Sequence, residues 1–153
     1  MVAGRLRISI LCVVLAMSAS AFGQASDAKV RVDGAWARRA AMLTGVDAKA
    51  GSGTGAVYAT LVNPGKDSDA LIGAESEGAA AAEIHESYEE SGMMMMRPVQ
   101  KIDVPAGKKV EMKPGGYHIM LLNLKRDLRV GTVVKLTLQF QNAGNVPVIA
   151  EIK

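Results

Sequence analysis

The chain has two histidines, and each has methionine close by. The segment 84–99, "IHESYEESGMMMMRPV", sets His85 ahead of Met93, Met94, Met95 and Met96, four of the nine methionines in the sequence. The segment 117–124, "YHIMLLNL", sets His118 two residues before Met120. Imidazole nitrogen and thioether sulfur together make a soft, uncharged donor set, which suits Cu(I). Zn²⁺ would gain from thiolate or carboxylate donors, and Ca²⁺ or Mg²⁺ from oxygen. A ligating imidazole must be neutral, so protons compete with metal below roughly the free-histidine value of about 6.5, whereas thioethers do not titrate.

Faces decide which methionine can meet which histidine. "AEIHESYEE" and "MMMMRPV" read as two extended segments flanking Ser91-Gly92, a tight hairpin turn. A two-residue loop pairs Glu90 with Met93, Glu89 with Met94, Ser87 with Met96 and His85 with Pro98. His85 then shares its face with Met94 and Met96, and Met96 is its diagonal neighbour at roughly 7–8 Å between Cα atoms. A four-residue loop keeps this register, whereas a three-residue loop puts Met93 and Met95 on that face instead. In the second segment His118 and Met120 project from one face, while Tyr117, Ile119 and Leu121 take the other. The candidate metal ligands are therefore His85, Met96, His118 and Met120, four neutral donors.

The elements that must position these residues are strands. Residues 29–38 ("KVRVDGAWAR"), 55–63 ("GAVYATLVN") and 132–141 ("TVVKLTLQFQ") alternate apolar with polar or small residues, the period of a sheet with one buried face. "NPGKDSD", "PAGKK", "KPGG" and "NAGN" are turn sequences, in which Pro fixes φ and Gly or Asn accepts positive φ. Residues 43–55 read as a long loop, and only 76–84 ("SEGAAAAEI") has the composition of a helical turn. Short strands between turns predict an all-β, antiparallel sandwich or barrel.

The N-terminus reads as a secretory signal peptide over 1–25: Arg5 and Arg7, an apolar run over 8–17, then small residues, with cleavage after Ala25 ahead of Ala21. Cys12 lies inside the apolar run behind Leu11, where a lipoprotein signal wants a small residue. An exported domain over 26–153 follows, without cysteine and so without disulfide, thiolate ligand or thiol nucleophile. Arg5 and Arg7 are two of the 18 basic residues, and the remainder nearly balances the 15 acidic ones. That near-neutrality offers no electrostatic case for nucleic acid. Neither a carboxylate pair in a cleft nor a Ser/His/Asp arrangement is legible, so no enzyme is expected. A blue-copper electron carrier is excluded because it needs a Cys thiolate beside its histidines.

His85, ten residues, Met96, twenty-one residues, His118, one residue, Met120 resembles the H-x10-M-x21-H-x-M signature of the PCuAC family of periplasmic copper chaperones. The resemblance extends to "WAR" at 36–38, "VYATLVN", "IHES", "GMMMMRPV", "VPAG" and "MKPGGYHIMLLNL", most of the exported chain. It implies a cupredoxin-like antiparallel β-sandwich of Greek-key type that binds Cu(I) at those four positions. It also implies a periplasmic, monomeric carrier that supplies copper to the copper-site subunit of cytochrome c oxidase, often beside a Sco-type protein. The loop over 40–53 looks longer than usual for the family, and the His- and Met-rich C-terminal tail of some members is missing, since the chain stops at "PVIAEIK". Two rivals share the residues: a protein that only sequesters copper, and a metal-free interaction module.

The remaining features have plainer readings. Met93 and Met95 are expected to pack in the core or at a sheet edge, and Met42 and Met112 to be structural; Trp36 is a core residue by default, with a place near the metal site as the alternative. Met94, on the face of His85 but farther out, is expected to form an outer step for handing copper over. Glu86, Glu89 and Glu90 read as a solvated acidic edge.

Overall fold

The computed structural model describes residues 29–41 and 53–153, all of them in strands, turns and loops, with no helix among the described residues. The strands are β1 (Arg31–Ala37), β2 (Thr54–Val62), β3 (Asp69–Ser76), β4 (Ala79–Glu90), β5 (Met93–Pro98), β6 (Ile102–Val104), β7 (Lys109–Met112), β8 (Tyr117–Leu124), β9 (Val133–Phe140) and β10 (Gly144–Ile152). The three alternating runs correspond to β1, β2 and β9. In β9, Val134, Leu136, Leu138 and Phe140 turn inward while Val133 and Lys135 face water.

Hydrogen bonding links the strands in the order β5-β4-β8-β2-β1-β10-β9-β3-β6, and β3 also pairs with β4 at Ala74–Ala82. That pairing closes the sheet into a barrel, with β5, β6 and β7 attached along its margins. The pairings are antiparallel except β1 with β10. Inside lie Val57, Leu61, Ile84, Ile119, Leu121, Leu138 and their neighbours. Full burial of a Leu or Ile contributes roughly 1.5–3 kcal/mol each, enough in sum to organise a barrel of this size. The all-β expectation holds.

The segment 76–84, whose composition could support a helical turn, forms none: β3 ends at Ser76, a turn follows, and β4 begins at Ala79. Alanine is the best helix former, but intrinsic propensity is a weak determinant, and strand pairing overrides it here. Ala79 and Ala81 lie against Leu124 and Leu122 of β8, while Ala82 also meets Ala74 of β3. Small side chains suit a corner where one strand has partners on both sides.

β1 departs from simple alternation. Its register with β2 shifts between Asp33–Thr60 and Trp36–Tyr58, leaving one extra residue on β1, and Gly34 takes φ of +62° there. This is a bulge built on a left-handed glycine. It turns Trp36 onto the outer face of the barrel beside Tyr58, with ring centroids 4.6 Å apart. Trp36 is half-buried there and is not one of the buried core residues.

The β4–β5 hairpin turns on Ser91 and Gly92, both with positive φ (53° and 78°), as a type I′ turn requires. Its register is Glu90–Met93, Glu89–Met94, Ser87–Met96 and His85–Pro98, as a two-residue loop predicts. Glu86 clasps Arg97 directly opposite at 2.8 Å, and the guanidinium lies 5.0 Å from the centre of the Tyr88 ring. The hydrogen bond from Arg97 to Glu86, followed by the carboxylate's charge, holds the guanidinium further above its ordinary pKa. Glu86 is thus a register clasp, while Glu89 and Glu90 are exposed. Gly92→Ala should weaken the hairpin by about 1 kcal/mol, the cost of placing a Cβ in left-handed backbone. Ser91→Asn should strengthen it, because Asn tolerates that region better. Amide hydrogen exchange in β5 should accelerate in the first variant and slow in the second.

Candidate metal centre

β4 and β8 run side by side with His85 directly opposite His118 and Glu83 opposite Met120. Between these pairs, Ile84 meets Ile119, and both are buried on the inner side. The inward pull on the two isoleucines therefore turns the two histidines and Met120 outward on a common face. Across the other edge of β4, Ser87 pairs with Met96 and His85 with Pro98, so Met96 stands diagonal to His85 on that same face. Met94 follows, one pair farther toward the turn. The structure brings His85, Met96, His118 and Met120 to one face of three adjacent strands.

The outer face is nevertheless well covered around the imidazoles. His118 is only 3% exposed, and its ring centroid lies 5.9 Å from that of His85 and 6.0 Å from that of Tyr58. Trp36, Tyr58, His118 and His85 thus form a row of rings across β1, β2, β8 and β4. The His85 side chain is 13% exposed, whereas Met96 is 60% exposed. The nitrogens sit in and the β5 sulfur sits out.

Hydrogen bonds leave one nitrogen of each ring bare. His118 Nδ1 lies 3.1 Å from the Gly116 carbonyl oxygen. A carbonyl only accepts, so Nδ1 carries the proton and Nε2 keeps its lone pair. On His85, Nε2 lies 3.0 Å from Glu83 Oε2. His85 Nδ1 is buried without a hydrogen-bond partner, the one such side-chain N or O atom among the described residues. Buried Asn63 and Asp69, in contrast, are satisfied by backbone groups: Asn63 Nδ2 donates to the Val104 carbonyl, and Asp69 accepts from the Asn142 and Ala143 amides. An orphaned buried nitrogen costs roughly 1–3 kcal/mol unless something takes its lone pair. A soft cation between the two rings would do so, and the donor set fits it.

Met93 and Met95 lie on the opposite face of β5 and are 63% and 41% exposed, so they belong to the sheet edge and not to the core. Met112 is buried, as a structural methionine should be. Met42, the signal segment 1–25 and most of the expected loop at 43–55 lie outside the described residues. Glu83 was not singled out from the sequence. Its signal was the Glu-x-His spacing on a strand, which puts both side chains on one face.

The family model described as "Putative lipoprotein LpqE-like" matches residues 30–152. The chain belongs to the LpqE-like family. This LpqE-like protein is 32% identical over 140 residues to "Putative lipoprotein Lxx21020" of Leifsonia xyli subsp. xyli (strain CTCB07), covering 91% of this chain and 78% of that one. Among solved structures, the apo PCuAC domain from PmoF1 superposes with a TM-score of 0.62 at 27% identity, covering 82% and 93% of the two chains. The solution structure of CuI-DR1885 from Deinococcus radiodurans gives 0.59 at 28% identity, covering 84% and 83%. The LpqE-like barrel is thus the cupredoxin-like fold of PCuAC domains.

Proposed function

We propose that this LpqE-like protein is a periplasmic Cu(I) carrier, exported through the segment 1–25, that delivers copper to cytochrome c oxidase assembly. His85, Met96, His118 and Met120 are the ligands in this reading. The observation that carries it is the pair of directly opposed histidines, each with one bare ring nitrogen, sharing a face with two thioethers. Similarity to a PCuAC domain, and to a protein solved in its CuI form, supports the same metal.

Ligand type and exposure together suggest how copper moves. Imidazole and thioether are neutral donors that exchange more readily than thiolates. The covered imidazoles retain the ion, and exposed Met96 is the donor an incoming ligand can displace first. Met94, 61% exposed on the same face, gives the departing ion an outer sulfur. The acceptor would be the copper-site subunit of the oxidase, alone or through a Sco-type protein, with stronger donors than the carrier.

Anaerobic Cu(I) titration against a chromophoric chelator, followed by mixing with an oxidase copper-site domain, tests this reading. One tight equivalent that passes stoichiometrically to the acceptor is expected. Retention of the ion would mean sequestration, and no binding would leave a metal-free module. Acidification should weaken binding, because protons compete for the two bare nitrogens and not for sulfur. Equal affinities at about pH 5 and about pH 7.5, either side of free imidazole's range, would rule out both histidines as ligands.

A further inference from the structure

We infer that Glu83 is the positioning residue of the copper site, selecting Nδ1 of His85 as the ligand nitrogen. This rests on the copper reading above. Glu83 and His85 are two apart on β4 and project to the same face, and Glu83 Oε2 lies 3.0 Å from His85 Nε2. An ionised carboxylate can only accept, so Nε2 carries the ring proton and Nδ1 is left bare. The bare atom is the buried, unpartnered one. The carboxylate therefore performs for His85 what the Gly116 carbonyl performs for His118.

The two rings are held by opposite nitrogens: His118 is anchored at Nδ1 and offers Nε2, whereas His85 is anchored at Nε2 and offers Nδ1. Histidines that face each other directly across neighbouring strands start from equivalent backbone positions. Anchoring them at different nitrogens lets two equivalent side chains present their lone pairs differently. Glu83 also stands opposite Met120, so it neighbours two of the ligands and brings one negative charge to a donor set that has none. With its side chain 45% exposed, Glu83 has little packing role to lose on substitution. A carboxylate behind a metal-binding imidazole fixes ring orientation and raises its donor strength, and its loss typically weakens metal binding by about 10–100-fold.

Two-bond ¹H–¹⁵N spectra of the metal-free protein, recorded above the imidazole titration range at about pH 8, read each ring's tautomer directly. His85 should be protonated at Nε2 in the wild type and in Glu83→Gln, whose amide oxygen still accepts, and a mixture in Glu83→Leu. His118 should keep its Nδ1 proton in all three, as the internal control. Chelator competition should then show Cu(I) affinity about 10–100-fold lower in Glu83→Leu, with a smaller loss in Glu83→Gln. A wild-type His85 protonated at Nδ1, or a Glu83→Leu protein unchanged in both tautomer and affinity, would overturn the assignment. The tautomer is read without metal, so the expected spectra in a protein that fails to bind Cu(I) would sink the copper reading and leave the Glu83–His85 arrangement standing.

Discussion

Met96→Leu should lower Cu(I) affinity at least about tenfold, equivalent to about 1.4 kcal/mol, while leaving the fold intact. Leucine keeps the size and apolarity of methionine, and a swap of that kind is tolerated even in cores. Met96 is in any case 60% exposed on a strand that, among the described residues, pairs with β4 alone. What the variant lacks is the sulfur diagonal to His85. Met93→Leu and Met95→Leu should leave affinity nearly unchanged, because the register places them on the reverse side with Tyr88, Arg97 and Glu86. Met94→Leu should slow transfer to an acceptor with little effect on affinity. Chelator competition on the four variants, with the rate of transfer to an acceptor measured for each, distinguishes these outcomes. Equal losses from all four would make the run an undifferentiated sulfur surface, and a dominant effect of Met95→Leu would contradict the ligand face assigned here.

His118→Phe should have the larger effect, a loss of Cu(I) affinity of at least about 100-fold, beyond what removal of a supporting group usually causes. Phenylalanine retains a flat ring beside Tyr58 and His85, so the covered outer face of β8 stays filled. The Gly116 carbonyl loses the imidazole donor but still accepts the Ser87 amide at 3.0 Å, so no buried acceptor is stranded. The cost in stability should stay near one hydrogen bond, about 1 kcal/mol. Thermal unfolding measured alongside the titration separates a lost ligand from a lost fold. A stable His118→Phe protein with wild-type affinity would remove His118 from the site.

The hairpin was legible in the sequence because its information is local. Ser91-Gly92 dictates the turn, the turn dictates the register, and the register puts Met96 diagonal to His85. The common face of His118 and Met120 was legible for the same reason, since alternation with Ile119 and Leu121 needs no partner strand. The meeting of the two segments was not. β4 and β8 are joined by non-local pairing, and nothing in either segment specifies that His85 falls opposite His118 and not two residues away. Only the family resemblance pointed there. The bulge at Gly34 was hidden because a single glycine in an alternating run does not announce an extra residue, and so the sequence alone leaves Trp36 open between the core and the neighbourhood of the site. The alanine run at 79–82 carries no sequence sign of its strand, because what holds it extended is pairing with two strands distant in sequence.

The most direct test is X-ray absorption at the copper edge on protein loaded with one equivalent of Cu(I). Two nitrogen and two sulfur scatterers are expected, with one sulfur lost in Met96→Leu and one nitrogen lost in His118→Phe. A first shell containing oxygen in place of sulfur, or one unchanged by both substitutions, would contradict a site built from His85, Met96, His118 and Met120.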